Sequence, residues 1–162
     1  MPAFSAHLEA ALRRAMELAT DLRHEEAGPE HLLLALLDEP TAADTLRACN
    51  VNLDALRTQL VAYLDGAPLA TDGREPQVTT SFQRVVHRAV VHVQSSARAE
   101  VTGANLLVAI FAERCNAVLS LQAQGMTRFD AVQYISHRIP KRPASFKPNI
   151  IRRQAEDIEP LL

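Results

Sequence analysis

The chain of 162 residues has no tryptophan, two cysteines, five glycines and only 4% aromatic residues, and each scarcity closes off a class of protein. Cys49 and Cys115 belong to no Cys-x-x-Cys pair, so neither a disulfide framework nor a zinc ribbon is available; both sit in helical text and read as reduced thiols. None of the five glycines opens a G-x-x-x-x-G-K-[ST] loop, in which backbone amides and a lysine cradle nucleotide phosphates, so the chain is expected not to hydrolyse ATP. Ser95-Ser96 and Ser136-His137 lie outside any G-x-S-x-G elbow, and His87 and His92, five apart, fall on different sides of a helix. No catalytic residue, cofactor or metal is therefore expected, and His24 reads as a surface residue in the charged turn Arg23-His24-Glu25-Glu26. A net charge of −2 lacks the basic excess of a nucleic-acid binder. No apolar run approaches the ~20 residues of a membrane span, and Met1 to His7 shows no leader pattern. A cytoplasmic protein without membrane or nucleic-acid partners is expected.

What is present is helical periodicity. Between Thr79 and Glu113 the apolar residues Phe82, Val85, Val86, Ala89, Val90 and Val93 recur at three- and four-residue steps, which on a helix form one stripe facing a core. Thr102 can then cap a second helix whose Leu106, Leu107, Val108, Ile110 and Phe111 make it apolar nearly all round, as a buried helix must be.

The same text occurs earlier. Sliding the chain by 74 residues puts Leu8 on Phe82, Ala11 on Val85, Leu12 on Val86, Ala15 on Ala89, Ala19 on Val93, Glu26 on Glu100, Leu32 on Leu106 and Glu39 on Glu113 without a gap. After small insertions Leu53-Asp54-Ala55-Leu56 falls on Phe129-Asp130-Ala131-Val132. This is an internal duplication, and each copy is a small helical unit whose apolar face is completed by the other. In the first copy the spacing predicts helices from Ser5 to Leu22, from Gly28-Pro29 through Leu37, from Thr41 to Cys49 with Pro40 as the stop before it, and from Asn52 to about Leu64. In the second it predicts Ser81 to Ser96, Gly103 to Glu113, Asn116 to Gln124 and Thr127 to His137. No strand-like alternation persists. Gly66, Pro68, Gly73 and Pro76 mark 65–78 as a flexible connector. Pro140, Pro143 and Pro148 with Lys141, Arg142 and Lys147 mark an extended segment, and Ile150 to Leu162 a short tail.

Both copies resemble the Clp N-terminal repeat. EHLLLALL at Glu30 to Leu37, FQRVVHRAVVHVQSSARAEVTGANLLVAIFAE at Phe82 to Glu113, and ISH at Ile135 to His137 are similar in particular to the N-domains of ClpA-type unfoldases. The resemblance covers about Phe4 to His137. It implies an all-α, eight-helix bundle of two pseudo-twofold four-helix repeats, the double Clp-N motif. As domains it implies a Clp N-domain over 1–139, with repeat one at about 4–64, the connector at 65–78 and repeat two at about 79–139, and a flexible tail or linker at 140–162.

The function implied is that of a non-catalytic docking module, probing for the adaptor ClpS and for protein substrates on behalf of a ClpA-type AAA+ module in cis or in trans and the protease ClpP. The adaptor-facing positions of the family match Glu25, Glu30, Thr79, Arg84, Arg88 and Arg128, and the isolated domain is expected to be monomeric. Arg84 and Arg88, four apart, share a helix edge and read as a cationic ledge; Glu25 and Glu30 flank a helix start and read as an anionic edge. Without the resemblance they read as ordinary solvated charges. Two positions depart from the family pattern: Gly28-Pro29 stands where a Thr cap is common, and Arg138 where Gly commonly follows the ISH. Ile158-Glu159-Pro160-Leu161 is similar to the text that opens the family's first ATPase module, which leaves a truncated subunit, an expressed fragment and a free-standing regulator that binds ClpS or the Clp ring all open. A small hydrolase or metal enzyme finds no motif in its favour.

Overall fold

Ser5 and Thr79 start the two long helices in the same way. The Ser5 hydroxyl accepts the Leu8 N–H at 3.1 Å and the Thr79 hydroxyl accepts the Phe82 N–H at 3.0 Å, each satisfying one of the amides that a helix start leaves without a partner. The computed structural model describes residues 2–96 and 98–141. The first copy runs β1 (Ala3–Phe4), α1 (Ala6–Asp21), β2 (Glu26–Ala27), α2 (Pro29–Leu36), α3 (Pro40–Ala48) and α4 (Leu53–Asp65). The second runs β3 (Gln77–Val78), α5 (Thr80–Ser95), β4 (Glu100–Val101), α6 (Gly103–Ile110), α7 (Asn116–Ala123) and α8 (Arg128–His137). The expected eight helices, four per copy, are all present.

The duplication is closed by exchange. β1 pairs in parallel with β4, and β2 with β3, so the first strand of each copy joins the second strand of the other. These strands are two residues long, too short to leave an alternation in the sequence. α2 and α6, apolar nearly all round, lie at the centre; they pack against each other and each against the long helix of its own copy. Leu32, Leu33, Leu36, Leu106, Leu107 and Ile110 are fully buried there, and Leu8 is sealed from solvent at the third position of α1, as Phe82 is nearly so at the third position of α5. Each such side chain contributes roughly 1.5–3 kcal/mol of burial.

One helix start differs from the reading above. α3 begins at Pro40, and its cap is Glu39, whose Oε1 accepts the Ala42 N–H at 2.7 Å and the Thr41 hydroxyl at 2.6 Å. Pro40 therefore opens a helix rather than merely ending one, because its fixed φ suits the first helical position and its missing N–H costs nothing there.

The connector lies against the first copy at both ends. The Glu25 N–H donates to the Pro68 carbonyl at 2.9 Å and the Ala70 N–H to the Arg23 carbonyl at 2.8 Å, before Gln77 and Val78 enter β3. At the far end, the Lys141 N–H donates to the Ala48 carbonyl at 2.8 Å and the Lys141 ammonium pairs with Asp130 at 3.0 Å. The tail expected over 142–162 lies outside the described residues.

Candidate functional site

The two copies meet where α2 and α7 start. The Glu30 carboxylate, 8% exposed, accepts the Ala117 N–H at 3.0 Å, so an acid of the first copy satisfies an orphan amide at the positive end of a helix in the second. Glu30 is thus a buried capping group rather than a solvated edge. One residue on, His31 Nδ1 accepts the Gly28 N–H at 3.0 Å, which leaves its proton on Nε2 to be donated to His24 Nδ1 at 2.8 Å. The two rings stand edge to face, with centroids 5.0 Å apart. Burial, and then the neighbouring His24, push the His31 pKa down from 6.5 to about 4.

His24 itself is buried, not a surface residue of a charged turn: its ring stands against His31, and its backbone forms an antiparallel bridge with Leu69 of the connector. Among the described residues no group of three or more His, Cys, Asp and Glu is placed to hold a metal ion.

Beside this junction opens a groove of about 220 Å³, lined by Glu25, Glu26, Glu30, Tyr63, Thr79 and Arg114 among others. Glu25 is exposed at its rim, and Thr79 lines its wall while capping α5. Next to it lies a wider depression of about 760 Å³ that shares Tyr63, Arg114 and Cys115 with the first and carries the exposed Leu119.

Arg84 and Arg88 converge on one carboxylate. Glu113, with 4% of its side chain exposed, receives Arg84 Nη2 on Oε1 at 2.8 Å and Arg88 Nη2 on Oε2 at 3.0 Å, with the Ser81 hydroxyl donating to Oε1 at 2.8 Å. Arg88 also donates to the Ala109 carbonyl at 3.0 Å. The Arg84 hydrogen bonds hold the Glu113 pKa at about 2, below its ordinary 4.5; burial opposes this, while Ser81 and Arg88 reinforce it. The two arginines therefore form a clamp on Glu113 whose outer surface remains half-open to solvent.

Of the six residues singled out in the sequence, Glu25, Glu30 and Thr79 share the first groove. Ser81, which lines that groove and binds Glu113, joins it to Arg84 and Arg88. Arg128 is exposed at the first position of α8 and lines neither depression. Ser81, Glu113 and His31 were missed. A signal existed for Glu113, since the duplication sets it on Glu39 and both are buried acids.

The Clp repeat (R) N-terminal domain family matches this chain over residues 3–124. A ClpA homolog from Fuscovulum blasticum is 52% identical over 149 residues, 89% of this chain and 19% of that protein, so the chain spans about a fifth of its relative's length. The Hsp104 N-terminal domain from Candida albicans superposes with a TM-score of 0.72 at 17% identity, over 86% of this chain and 96% of that one. A ClpV N-domain in complex with a VipB peptide superposes with a TM-score of 0.68 at 20% identity, over 84% and 86% of the two chains. At such identities the structural likeness is one of fold.

Proposed function

The chain belongs to the family of Clp repeat N-terminal domains, and from that premise we propose that it is a non-catalytic interaction module of a Clp protease system, docking the adaptor ClpS or protein substrates for a ClpA-type AAA+ unfoldase and ClpP. The observation that carries this reading is the continuity of the acidic groove with the arginine clamp. Glu25 and Glu26 are exposed along the groove, and Ser81, which lines it, binds the Glu113 that Arg84 and Arg88 hold, so a partner meets both signs of charge in this region. Charge arranged in this way sets orientation and partner choice more than raw affinity. The exposed Tyr63 and Leu119 supply apolar contact beside it, where aromatic anchors carry binding energy. The ClpA homolog and the peptide-bound ClpV N-domain support the same class of role.

In this reading Glu25 contacts the partner directly. Glu30, Arg84 and Arg88 act with most of their hydrogen-bonding capacity already committed, and Thr79 contributes its methyl face. Arg128 contacts a partner large enough to reach beyond the groove.

Calorimetric titration of ClpS into the chain tests the proposal. Binding in the micromolar range that Glu25→Arg weakens at least tenfold, with the melting temperature unchanged, is the expected result. No heat of binding at tens of micromolar contradicts it.

A further inference from the structure

The duplication makes two grooves, and the second differs in sign from the first. Under the shift that sets one copy on the other, Gly28, Glu30 and His31 of the first groove fall on Thr102, Ala104 and Asn105, which line a groove of about 500 Å³ between the start of α6, helix α3 and the end of α8. Where Glu30 offers a carboxylate to the Ala117 N–H, the second groove has only the methyl group of Ala104, whose own N–H donates instead to the Thr41 hydroxyl at 2.9 Å. The acid that defines the first site is absent from its counterpart.

Three arginines stand around the second groove. Arg47, Arg98 and Arg138 line it, and among the described residues none of them forms an ion pair. Two carboxylates also face it. Asp44 is engaged by the Tyr134 hydroxyl at 3.3 Å, and among the described residues Glu100 is the groove's other acid and has no such contact. Arg138 is placed there at a conformational cost. It closes α8 with φ of 56°, in the left-handed region where a side chain is disfavoured by roughly 1–2 kcal/mol and where glycine ordinarily serves. Its guanidinium lies 5.3 Å from the centre of the Tyr134 ring, which presents a planar, partly oriented donor to the groove. Arginine at such a position suits a carboxylate, which it can bind with two parallel N–H donors. The positive end of α6 adds to the same field.

We propose that this groove is a second docking site, which takes an acidic segment of a protein partner. It goes beyond the adaptor-docking reading and shares no residue with the groove that reading uses. The two faces then differ in what they select, and one chain can hold two unlike partners.

Fluorescence anisotropy of the full chain with a labelled eight-residue peptide alternating Glu and Leu tests this, with the matching Lys-Leu peptide and a single-stranded RNA oligonucleotide as competitors. The expected result is saturable binding of the Glu-Leu peptide. Arg98→Glu should weaken it at least fivefold and combination with Arg138→Gly at least twentyfold, whereas Glu25→Arg in the first groove leaves it unchanged. Arg138→Gly relieves the backbone, so a loss of binding there is not a loss of fold, and circular dichroism melts of each variant verify it. Equal binding of the Lys-Leu peptide, insensitivity to both arginine substitutions, or displacement by RNA at a lower concentration than by unlabelled Glu-Leu peptide each overturns the proposal. Because ClpS titration reads the other groove, failure here and failure of adaptor docking are separable.

Discussion

Arg84 reaches the buried Glu113 with two nitrogens, Nη2 standing 2.8 Å from Oε1 and Nε 3.3 Å from both oxygens, and the other copy has no such pair. There the position of Arg84 holds Ala10 and that of Glu113 holds Glu39, one of whose oxygens is buried without a hydrogen-bond partner among the described residues. The second copy has built a charged clamp onto a site that the first uses only for capping.

Glu113→Ala removes the acceptor on which three side chains converge. Hydrogen bonds to a charged group contribute more than neutral ones, so the substitution is expected to cost about 2–3 kcal/mol of stability in urea denaturation. Arg84→Ala is expected to cost less, since Arg88 and Ser81 still serve the carboxylate. The folded state holds Glu113 ionised to about pH 2 against an ordinary 4.5. Its contribution is therefore complete above the ordinary value and lost as pH falls from 4.5 toward 2.

His31 gives a second, separate acid limit. Its pKa is depressed from 6.5 to about 4, so the unfolded chain binds its proton first on the way down. The stability tied to neutral His31, on the order of 3 kcal/mol for a shift of this size, is full above pH 6.5 and lost between 6.5 and 4. The duplication supplies the control. Asn105 occupies the same place in the second copy, where its Oδ1 accepts the Thr102 N–H at 2.8 Å. His31→Asn should keep the cap on Gly28 and flatten the stability profile between pH 6.5 and 4 in thermal melts; an unchanged slope rules out His31 as its source.

Thr79 serves both α5 and the groove. Thr79→Ala should cost about 1 kcal/mol through the lost cap, whereas Thr79→Ser, which keeps the hydroxyl, should melt within a degree or two of the parent. Adaptor binding that falls with both substitutions assigns the methyl group to the partner surface; binding that falls only with Ala assigns the effect to the helix start.

Gly103 lies against Glu39. A Cβ built on Gly103 would stand 2.2 Å from Glu39 Oε1, the atom that caps α3. Gly103→Ala should therefore push the carboxylate off the Ala42 N–H and cost about 1–2 kcal/mol. In a Glu39→Ala background the same substitution should cost almost nothing, because the obstruction is gone, and the double-mutant cycle measured in urea reports that coupling.

Much of the fold was legible because it rests on local chemistry. Asn52, Thr102 and Thr127 were readable as caps from the residues that follow them, and the apolar spacing of Leu8 to Ala19 and Phe82 to Val93 gave the long helices. The paired strands were not legible, since two residues carry no period. Nor was the Glu39 cap, because glutamate is an uncommon first choice there and Thr41, two residues on, is a favoured one.

The site was readable only in part, for a related reason. Arg84 and Arg88 announce themselves as a charged edge, but the acid that receives them lies on another segment 29 and 25 residues away. Glu30 finds its partner amide 87 residues on. Such contacts follow from how the two copies close on each other, and no window of sequence contains them.

The most direct test of the account is a ¹⁵N-resolved NMR titration of the chain with ClpS. Docking at the copy junction predicts that shifts concentrate in the Glu25, Glu30, Thr79 and Arg84 segment and leave the Arg47, Arg98 and Arg138 groove still. An unperturbed spectrum, or shifts centred away from the start of α2 and α5, contradicts it.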